Sequence, residues 1–385
     1  MSTARARVSS AVMTHPVRRV QAQELCDRLG LGGLAVDPEP DGPPSALRTA
    51  LVAWARIADG ATHQLMIQDD VAAPDDFVDL VAHCADRFPA DALAYYTNWH
   101  ARNGAAARLA ALAGAGWVRA VPEEFTPTLA IVLPVATADA FRRHATATGE
   151  RHDDEVMAGF LAGRGRSALL AVPTVTEHTG TSSINGHGAV QGIRLAVCPT
   201  GSEDARPLLL NGWVLELEQL DWLPYMRYGE GYVRLPGQET EVAPRHHFTW
   251  REALPRTDLG EHAVATALST LDDRDREDRR RAGEIAELFG ESYADELWIH
   301  CALLGRQARL AARRHAPGAP YPAEGPEAAR LRRAAVSTVG PAGLPPERRH
   351  EAGRGHTGLL ADYASAAVSR GEALADSAPP TADRR

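Results

Sequence analysis

Two adjacent carboxylates follow a short apolar segment in the first fifth of the chain. The run from His63 to Gln68 has Leu65 to Ile67 at its centre and ends on Asp69 and Asp70. Such a run is typical of a strand buried on both faces in a parallel sheet. Adjacent acids at a strand end repel each other and lose hydration. A divalent cation that carries phosphate oxygens is the usual agent that offsets this cost. We therefore predict a metal–phosphate site at Asp69 and Asp70.

An alternative interpretation is that these acids only begin the next helix, where carboxylates are favoured. Asp75 and Asp76 follow Pro74 directly and already suit that purpose. In open α/β sheets, ligands bind just beyond the carboxyl ends of the strands. Asp69 and Asp70 occupy that position, so the ligand site is the favoured interpretation.

Short apolar runs alternate with helical periodicity from Val8 to about Pro173. The predicted strands are Ser9–Met13, Leu34–Val36, the strand ending at Asp69, Ala92–Tyr96, Leu129–Leu133 and Ala168–Val172. The predicted helices are Val20–Leu29, one capped by Ser45, Asp75–Arg87, Thr137–Ala145 and Asp153–Leu161. This alternation predicts an α/β fold with a doubly wound, mostly parallel sheet.

The rest of the chain changes character after residue 190. Residues from about 193 to 242 are aromatic and irregular, which indicates extra strands and loops, and residues 259–314 are helical in pattern. Residues 316–385 are rich in Pro, Gly, Ala and Arg with little periodicity, which predicts a disordered tail with one marginal helix near 359–367. We thus expect an α/β domain over 1–190, a mixed and helical extension over 191–315, and the tail.

Composition excludes several classes of protein. The net charge of −9 argues against a dedicated nucleic-acid binder, and every permanently basic side chain is Arg. The four cysteines share no ligand-like spacing, which indicates free thiols in a reducing compartment. The sequence has neither an apolar leader segment nor a run long enough to cross a membrane. A cytoplasmic protein without a transmembrane segment is expected.

The acid pair resembles the Glu-Asp-Asp-Val motif of the family 25 glycosyltransferases, which have the A-type nucleotide-sugar-binding fold. Here the motif reads Gln68-Asp69-Asp70-Val71, with a neutral amide in place of the first acid. The resemblance covers roughly the first half of the chain. It implies a metal-dependent transferase that moves a sugar from a nucleotide-diphosphate donor, with UDP as the expected nucleotide, to an acceptor hydroxyl. It also implies Mn²⁺ or Mg²⁺ on Asp69 and Asp70, and a glycan, lipid-linked or natural-product acceptor.

The same resemblance implies roles for residues that would contact the donor. Thr14, His15 and Arg18 belong to the first strand-to-helix loop, which in this fold lies against the base and ribose. Asp37 ends the second strand, where its carboxylate would accept hydrogen bonds from uracil or ribose. Arg48 begins the helix before the acid pair and would reach the diphosphate, for which a guanidinium is well suited. Ordinary surface arginines are the alternative for Arg18 and Arg48.

Two further elements complete the implied site. Asp153 and Asp154 begin a helix where such transferases often place the general base, with Asp154 as the first choice. The helix macrodipole alone would also favour acids there. His178 lies in a late loop, Pro173 to Ser183, and is expected to complete the metal site, with hydroxyl and N–H donors to phosphate following it. Trp99 is a candidate platform for the acceptor.

Three other functions remain as alternatives. An iron oxygenase would use His152, Asp154 and His178, but its all-β barrel conflicts with the strand–helix alternation. A nucleotidyltransferase would share the nucleotide-binding fold, but the loop Thr14–Arg19 contains no glycine. A degenerate transferase that only binds a nucleotide or a partner is favoured by Gln68. We predict an active enzyme because the other acids are present.

Overall fold

The structure is a computed structural model that describes residues 5–122, 124–179, 194–220, 222–235, 248–253, 265, 267–317, 321 and 325–377. The chain forms two compact units. The first combines residues 1–98 with 116–214, and the second combines 99–115 with 215–385. The predicted first domain, residues 1–190, included the segment 99–115, whereas in the structure this segment belongs to the second unit.

The strands of both units are short. In chain order they are β1 (Val8–Thr14), β2 (Leu34–Val36), β3 (His63–Gln68), β4 (Val71–Ala72), β5 (Leu93–Ala94), β6 (Trp117–Arg119), β7 (Ala130–Pro134), β8 (Leu169–Ala171), β9 (Glu177–His178), β10 (Val214–Leu215), β11 (Leu223–Arg227), β12 (Glu230–Arg234) and β13 (Phe248–Thr249). Among the residues described, eight strands form one sheet in the order β10-β6-β8-β5-β7-β3-β1-β2.

The central sheet is mostly parallel. β2, β1, β3, β5 and β8 run in one direction, and β7 and β6 run in the opposite direction. β1 and β3 are in register from Val8 opposite His63 to Met13 opposite Gln68. The predicted α/β class with a mostly parallel sheet is therefore confirmed, and the carboxyl ends of the parallel strands meet at one edge.

Helices connect these strands and build most of the second unit. In chain order they are α1 (Arg19–Leu29), α2 (Ala46–Ala55), α3 (Phe77–Arg87), α4 (Arg102–Ala113), α5 (Val135–Ala145), α6 (Asp153–Ala162), α7 (Ser202–Asn211), α8 (Trp250–Ala253), α9 (Arg276–Phe289), α10 (Glu291–His315), α11 (Pro326–Ser337), α12 (Val339–Gly343), α13 (Pro346–Gly355) and α14 (Thr357–Ser377). Short 3₁₀ turns occupy Pro16–Arg18 and Leu217–Gln219.

Local sequence signals fix the ends of the helices that border the carboxyl edge of the sheet. Gly30 ends α1 in a left-handed conformation with a φ of 64°, which costs glycine little. The Ser45 hydroxyl accepts a hydrogen bond from the Arg48 backbone N–H (3.2 Å) and caps α2. The strand residues Val12, Leu65 and Ile67 are fully buried in the core of the sheet.

The second unit differs from the expected extension and tail. Four helices, α11 to α14, occupy residues 326–377, where a disordered tail with one marginal helix near 359–367 was predicted. α14 contains that predicted helix, and the disorder predicted for the rest of this segment is wrong. Leu331, Leu360 and Tyr363 are buried within this unit. The Tyr363 ring lies 4.9 Å from that of Trp298 on α10. Many of the other buried residues of these helices are Ala or Gly, which give little hydropathy signal in a sequence.

The helical structure predicted over 259–314 is confirmed for its C-terminal part. α9 and α10 cover residues 276–315, and Gly290, with a φ of 102°, separates them. Most of residues 254–266 lie outside the described part of the chain. No helix among the described residues is long and apolar enough to span a membrane.

Candidate functional site

The acid pair lies where the parallel strands end. Asp69 and Asp70 follow β3, and Thr14 closes the neighbouring strand β1. Because the two strands are parallel and in register, Thr14 faces Asp69 across the sheet. The Thr14 hydroxyl donates a hydrogen bond to Asp69 Oδ2 over 2.6 Å. Burial raises the pKa of Asp69, which the Thr14 hydrogen bond opposes.

Arg18 joins the two carboxylates. Its Nη1 atom lies 3.1 Å from Asp69 Oδ1 and 3.1 Å from Asp70 Oδ2, and its side chain is 16% exposed. The Gln21 amide donates to the backbone oxygen of Asp69 over 3.0 Å, which fixes the strand end from α1. The repulsion expected between the two acids is therefore offset in this structure by one guanidinium.

His178 approaches the pair from a short β-ribbon. β4 and β9 are antiparallel, with Val71 opposite His178. The ribbon places His178 Nε2 3.4 Å from Asp70 Oδ2. The backbone N–H and hydroxyl of Thr179 both donate to the Asp70 backbone oxygen, over 2.8 and 3.0 Å. Burial lowers the pKa of His178, which favours the neutral imidazole that metal binding requires.

One atom of the pair fits a cation. Asp70 Oδ1 is buried and has no hydrogen-bond partner among the described residues. Asp69, Asp70 and His178 offer the oxygen and imidazole ligands that Mn²⁺ accepts. Over the described ranges, however, no three His, Cys, Asp or Glu side chains are close enough together to form a metal-binding group. Gln68, at the position of the missing first acid, also lines this region but adds no charge.

A cleft opens beside the acid pair at the carboxyl edge of the sheet. We call it the strand-end cleft; it contains about 770 Å³ of atom-free space, partly open to solvent. It is lined by Met13, Thr14, His15, Arg18, Asp37, Pro40, Gly42, Pro44, Ser45, Ala46, Arg48, Thr49, Gln68, Asp69, Asp70 and Arg194.

Asp37 and Arg48 lie in this cleft but bind each other. Arg48 Nε donates to Asp37 Oδ1 and Nη2 donates to Asp37 Oδ2, both over 2.7 Å. The remaining donors of the guanidinium reach the backbone oxygens of Pro43 and Glu39, over 3.0 and 2.9 Å. Arg48 therefore holds the loop between β2 and α2 in place. The predicted contact between Arg48 and a diphosphate would require this ion pair with Asp37 to break.

His15 also has a local role in the structure. Its Nδ1 accepts a hydrogen bond from the Val17 backbone N–H over 3.3 Å and so caps the turn before α1. Its Nε2 lies 3.3 Å from the Pro40 backbone oxygen. The predicted donor-contacting residues Thr14, His15, Arg18, Asp37 and Arg48 thus all line one cleft with Asp69 and Asp70. Only Arg18 among their cationic side chains faces the acid pair.

Asp153 and Asp154 begin α6 at the same edge of the sheet without lining the described cleft. Burial and the neighbouring Asp154 raise the pKa of Asp153 to about 7, and a hydrogen bond from Thr128 opposes this shift. Asp153 Oδ2 is buried without a hydrogen-bond partner in the described structure. Burial also raises the pKa of Asp154, whose Oδ1 accepts a hydrogen bond from the Glu155 backbone N–H over 2.9 Å.

Backbone contacts connect this second cluster to the strand end. The Gln68 N–H donates to the Leu129 carbonyl oxygen (2.9 Å), which places Thr128 beside Asp69 along the antiparallel pair of β3 and β7. Leu47, at the start of α2, donates to the Arg151 carbonyl oxygen over 3.0 Å. The start of α6 is therefore held next to elements that border the cleft.

Other predicted residues lie elsewhere. Trp99 is 2% exposed and belongs to the second unit, which makes it a core residue rather than an open acceptor platform. Among the donors expected after His178, Thr179 donates to the Asp70 backbone oxygen, and residues 180–183 lie outside the described residues.

Two residues of the site were not predicted: Gln21 and Arg194. Gln21 could have been found from its place one turn after Arg18. Arg194 lies in an irregular segment, and no sequence pattern indicates its position in the cleft.

Comparison of the sequence with protein-family models and with curated proteins gives no match. What can be inferred about function therefore depends on the site.

Proposed function

We propose that this protein is a metal-dependent glycosyltransferase that uses a nucleotide-diphosphate sugar, with UDP as the expected nucleotide. The observation that carries the proposal is the buried acid pair at the end of β3, with Asp70 Oδ1 unpartnered among the described residues. A pair of carboxylates facing a cleft at the carboxyl ends of the strands suits a cation that carries a diphosphate. The mostly parallel sheet and its strand-end cleft support the more specific A-type fold.

Asp69, Asp70 and His178 are the residues that would hold Mn²⁺ or Mg²⁺, and because the three side chains do not form a metal-binding group in this structure, binding would have to bring them together. A bound cation would supply positive charge to the diphosphate as it leaves the sugar. Charged side chains of the protein would make the remaining contacts with the donor. Arg18 and Arg194 line the cleft and would offer guanidinium donors to phosphate oxygens, and Asp37, held by Arg48, lines the same cleft and is proposed to lie on the ribose side.

The general base is proposed to be one of Asp153 and Asp154. Transfer to a hydroxyl requires a carboxylate that removes the acceptor proton as the oxygen attacks the sugar. A pKa near the working pH suits this role, and burial moves both carboxyls in that direction. Asp154 is the more exposed of the two and remains the first choice. The acceptor is proposed to be a hydroxyl of a glycan, a lipid-linked sugar or a natural product.

Cys26, Cys84, Cys198 and Cys301 are buried and form no disulfide among the described residues, which supports a reducing, cytoplasmic location as part of the same proposal.

A second candidate is a transferase relative that binds a nucleotide without transferring sugar. Two observations favour it: Gln68 stands where the resembling family has an acid, and Arg18 already neutralises the remaining pair. Both candidates predict nucleotide binding, and only the first predicts transfer.

A thermal-shift panel of ADP, CDP, GDP and UDP, each with and without Mn²⁺, tests the proposal. A ligand at 100 times its Kd stabilises the folded state by about 2.7 kcal/mol. For a protein unit of this size that is a rise in Tm of roughly 5–10 °C. We expect one diphosphate to stand out, and only with Mn²⁺, while its nucleoside has no effect. No shift with any nucleotide would refute both candidates.

A further inference from the structure

Arg18 occupies the position between the acids that a bridging cation would take. A single nitrogen, Nη1, lies at the same distance, 3.1 Å, from Asp69 Oδ1 and from Asp70 Oδ2. His178 Nε2 approaches the same Asp70 oxygen at 3.4 Å. The acid pair is therefore satisfied by the chain itself, apart from Asp70 Oδ1.

A divalent cation and this guanidinium exclude each other. Oxygen ligands hold such cations at roughly 2.0–2.6 Å, so a cation bridging the two carboxylates would lie within a few ångströms of Nη1. Two positive charges at that separation in a largely buried site repel strongly. Cation binding to Asp69 and Asp70 therefore requires Arg18 to turn away.

Arg18 also lines the strand-end cleft, where a displaced guanidinium would meet a phosphate group. A guanidinium that leaves two carboxylates loses charge-assisted hydrogen bonds, and phosphate oxygens replace them well. With no phosphate present, the other carboxylate that lines the cleft, Asp37, already binds Arg48 through both of its oxygens. The cost of moving Arg18 thus depends on whether the anion is bound.

We propose that Arg18 couples the two ligands of the site: it blocks the divalent cation from the empty cleft and, once displaced, binds the diphosphate. This inference rests on the proposed function, because it assigns regulation to the same site. Coupling is reciprocal, so the diphosphate must raise affinity for the cation by the same factor as the cation raises affinity for the diphosphate. Couplings of this kind are typically 5- to 150-fold, that is, about 1–3 kcal/mol.

The test is a titration of Mn²⁺ followed by electron paramagnetic resonance, with and without UDP, on the full chain and on R18Q. For the wild type we expect weak Mn²⁺ binding that UDP strengthens at least about 5-fold. For R18Q we expect tighter Mn²⁺ binding in the absence of UDP and a coupling factor near 1. R28Q is the matched control, because it removes the Arg28–Asp75 ion pair (3.0 Å) from α1 outside the cleft. It should behave as the wild type.

Far-UV circular dichroism checks that each variant is folded, and R18K adds a variant that keeps the charge. Unchanged or weaker Mn²⁺ binding in R18Q, with the fold intact, overturns the inference. Equal affinity for UDP with and without Mn²⁺ in the wild type also overturns the inference. That result would still be consistent with a nucleotide-binding site. If no nucleotide binds, the proposed function fails, while tighter Mn²⁺ binding by R18Q would still support the blocking role of Arg18.

Discussion

Two glycines make close contacts between α10 and α14 and allow a strong test of the C-terminal fold. A Cβ atom built on Gly371 would lie 1.8 Å from the Ala302 backbone oxygen. A Cβ atom on Gly305 would lie 2.1 Å from the Val368 backbone oxygen. Each glycine thus meets the backbone of the opposite helix, and no side-chain rotation relieves the clash.

The expected effect of G371A or G305A follows from these distances. Contacts to Cβ in proteins start near 3.0 Å, so the helices would have to separate locally by about 1 Å. Overpacking a well-packed core typically lowers the free energy of unfolding by about 1–3 kcal/mol. Because these clashes are with backbone atoms, we expect a loss at or above the top of that range. Alanine regains up to about 1 kcal/mol of helix propensity. The net loss in free energy of unfolding is therefore about 2 kcal/mol or more.

Urea denaturation measures this loss, with G283A as the matched control. Gly283 lies within α9, and nothing stands within 4 Å of its Cβ position. G283A should therefore stabilise the protein by up to about 1 kcal/mol. The double variant G305A/G371A should lose less than the sum of the single losses, because one separation of the helices relieves both clashes. If G305A and G371A proved as stable as G283A, the packing of α14 on α10 would be wrong.

Two further predictions concern ionisable groups of the first unit. Burial raises the pKa of Asp153 to about 7, so the folded state holds this proton more tightly than the unfolded state does. The protonated Asp153 side chain therefore contributes most to the free energy of unfolding below about pH 4, and this contribution is lost as the pH rises to 7. The Tm of D153N relative to the wild type should therefore increase over that interval in pH-dependent melting curves, and a constant difference would contradict this. The hydrogen bonds from Arg48 lower the pKa of Asp37, so their stabilisation is present above about pH 4 and is lost as the pH falls through the lowered pKa. R48Q should cost about 1.5–3 kcal/mol at neutral pH in urea denaturation and progressively less as the pH falls below about 4, and a loss that does not change with pH would refute the role of this pair.

Much of the α/β unit could be predicted from sequence because its elements carry strong local signals. β2 has the predicted ends, and the Ser45 cap and the Gly30 stop lie where expected. The helix α4 was missed because it is buried around its whole circumference and therefore shows no alternation of polar and apolar residues. Of the C-terminal helices, only the one near 359–367 was predicted. The others were missed for a related reason: many of their buried residues are alanine or glycine, whose burial depends on close backbone approach rather than on hydropathy.

The site could be predicted in part. The end of a parallel strand places Asp69 and Asp70 in a cleft whatever the details of the fold, and the first loop must lie beside them. Hydrogen-bond partners depend on side-chain geometry, which the spacing of residues in the sequence does not determine. For this reason, neither the pairing of Arg48 with Asp37 nor the position of Arg18 between the two acids could be predicted. The position of Arg194 depends on a tertiary contact between distant segments.

Isothermal titration of UDP in the presence of Mn²⁺ tests the central claim most directly, with the wild type compared with D69N, D70N and D75N. Asp75 is an exposed acid paired with Arg28 and serves as the control. We predict Mn²⁺-dependent binding in the wild type and D75N, and its loss in D69N and D70N with the fold intact. Metal-dependent binding of unchanged affinity in both D69N and D70N would contradict the account.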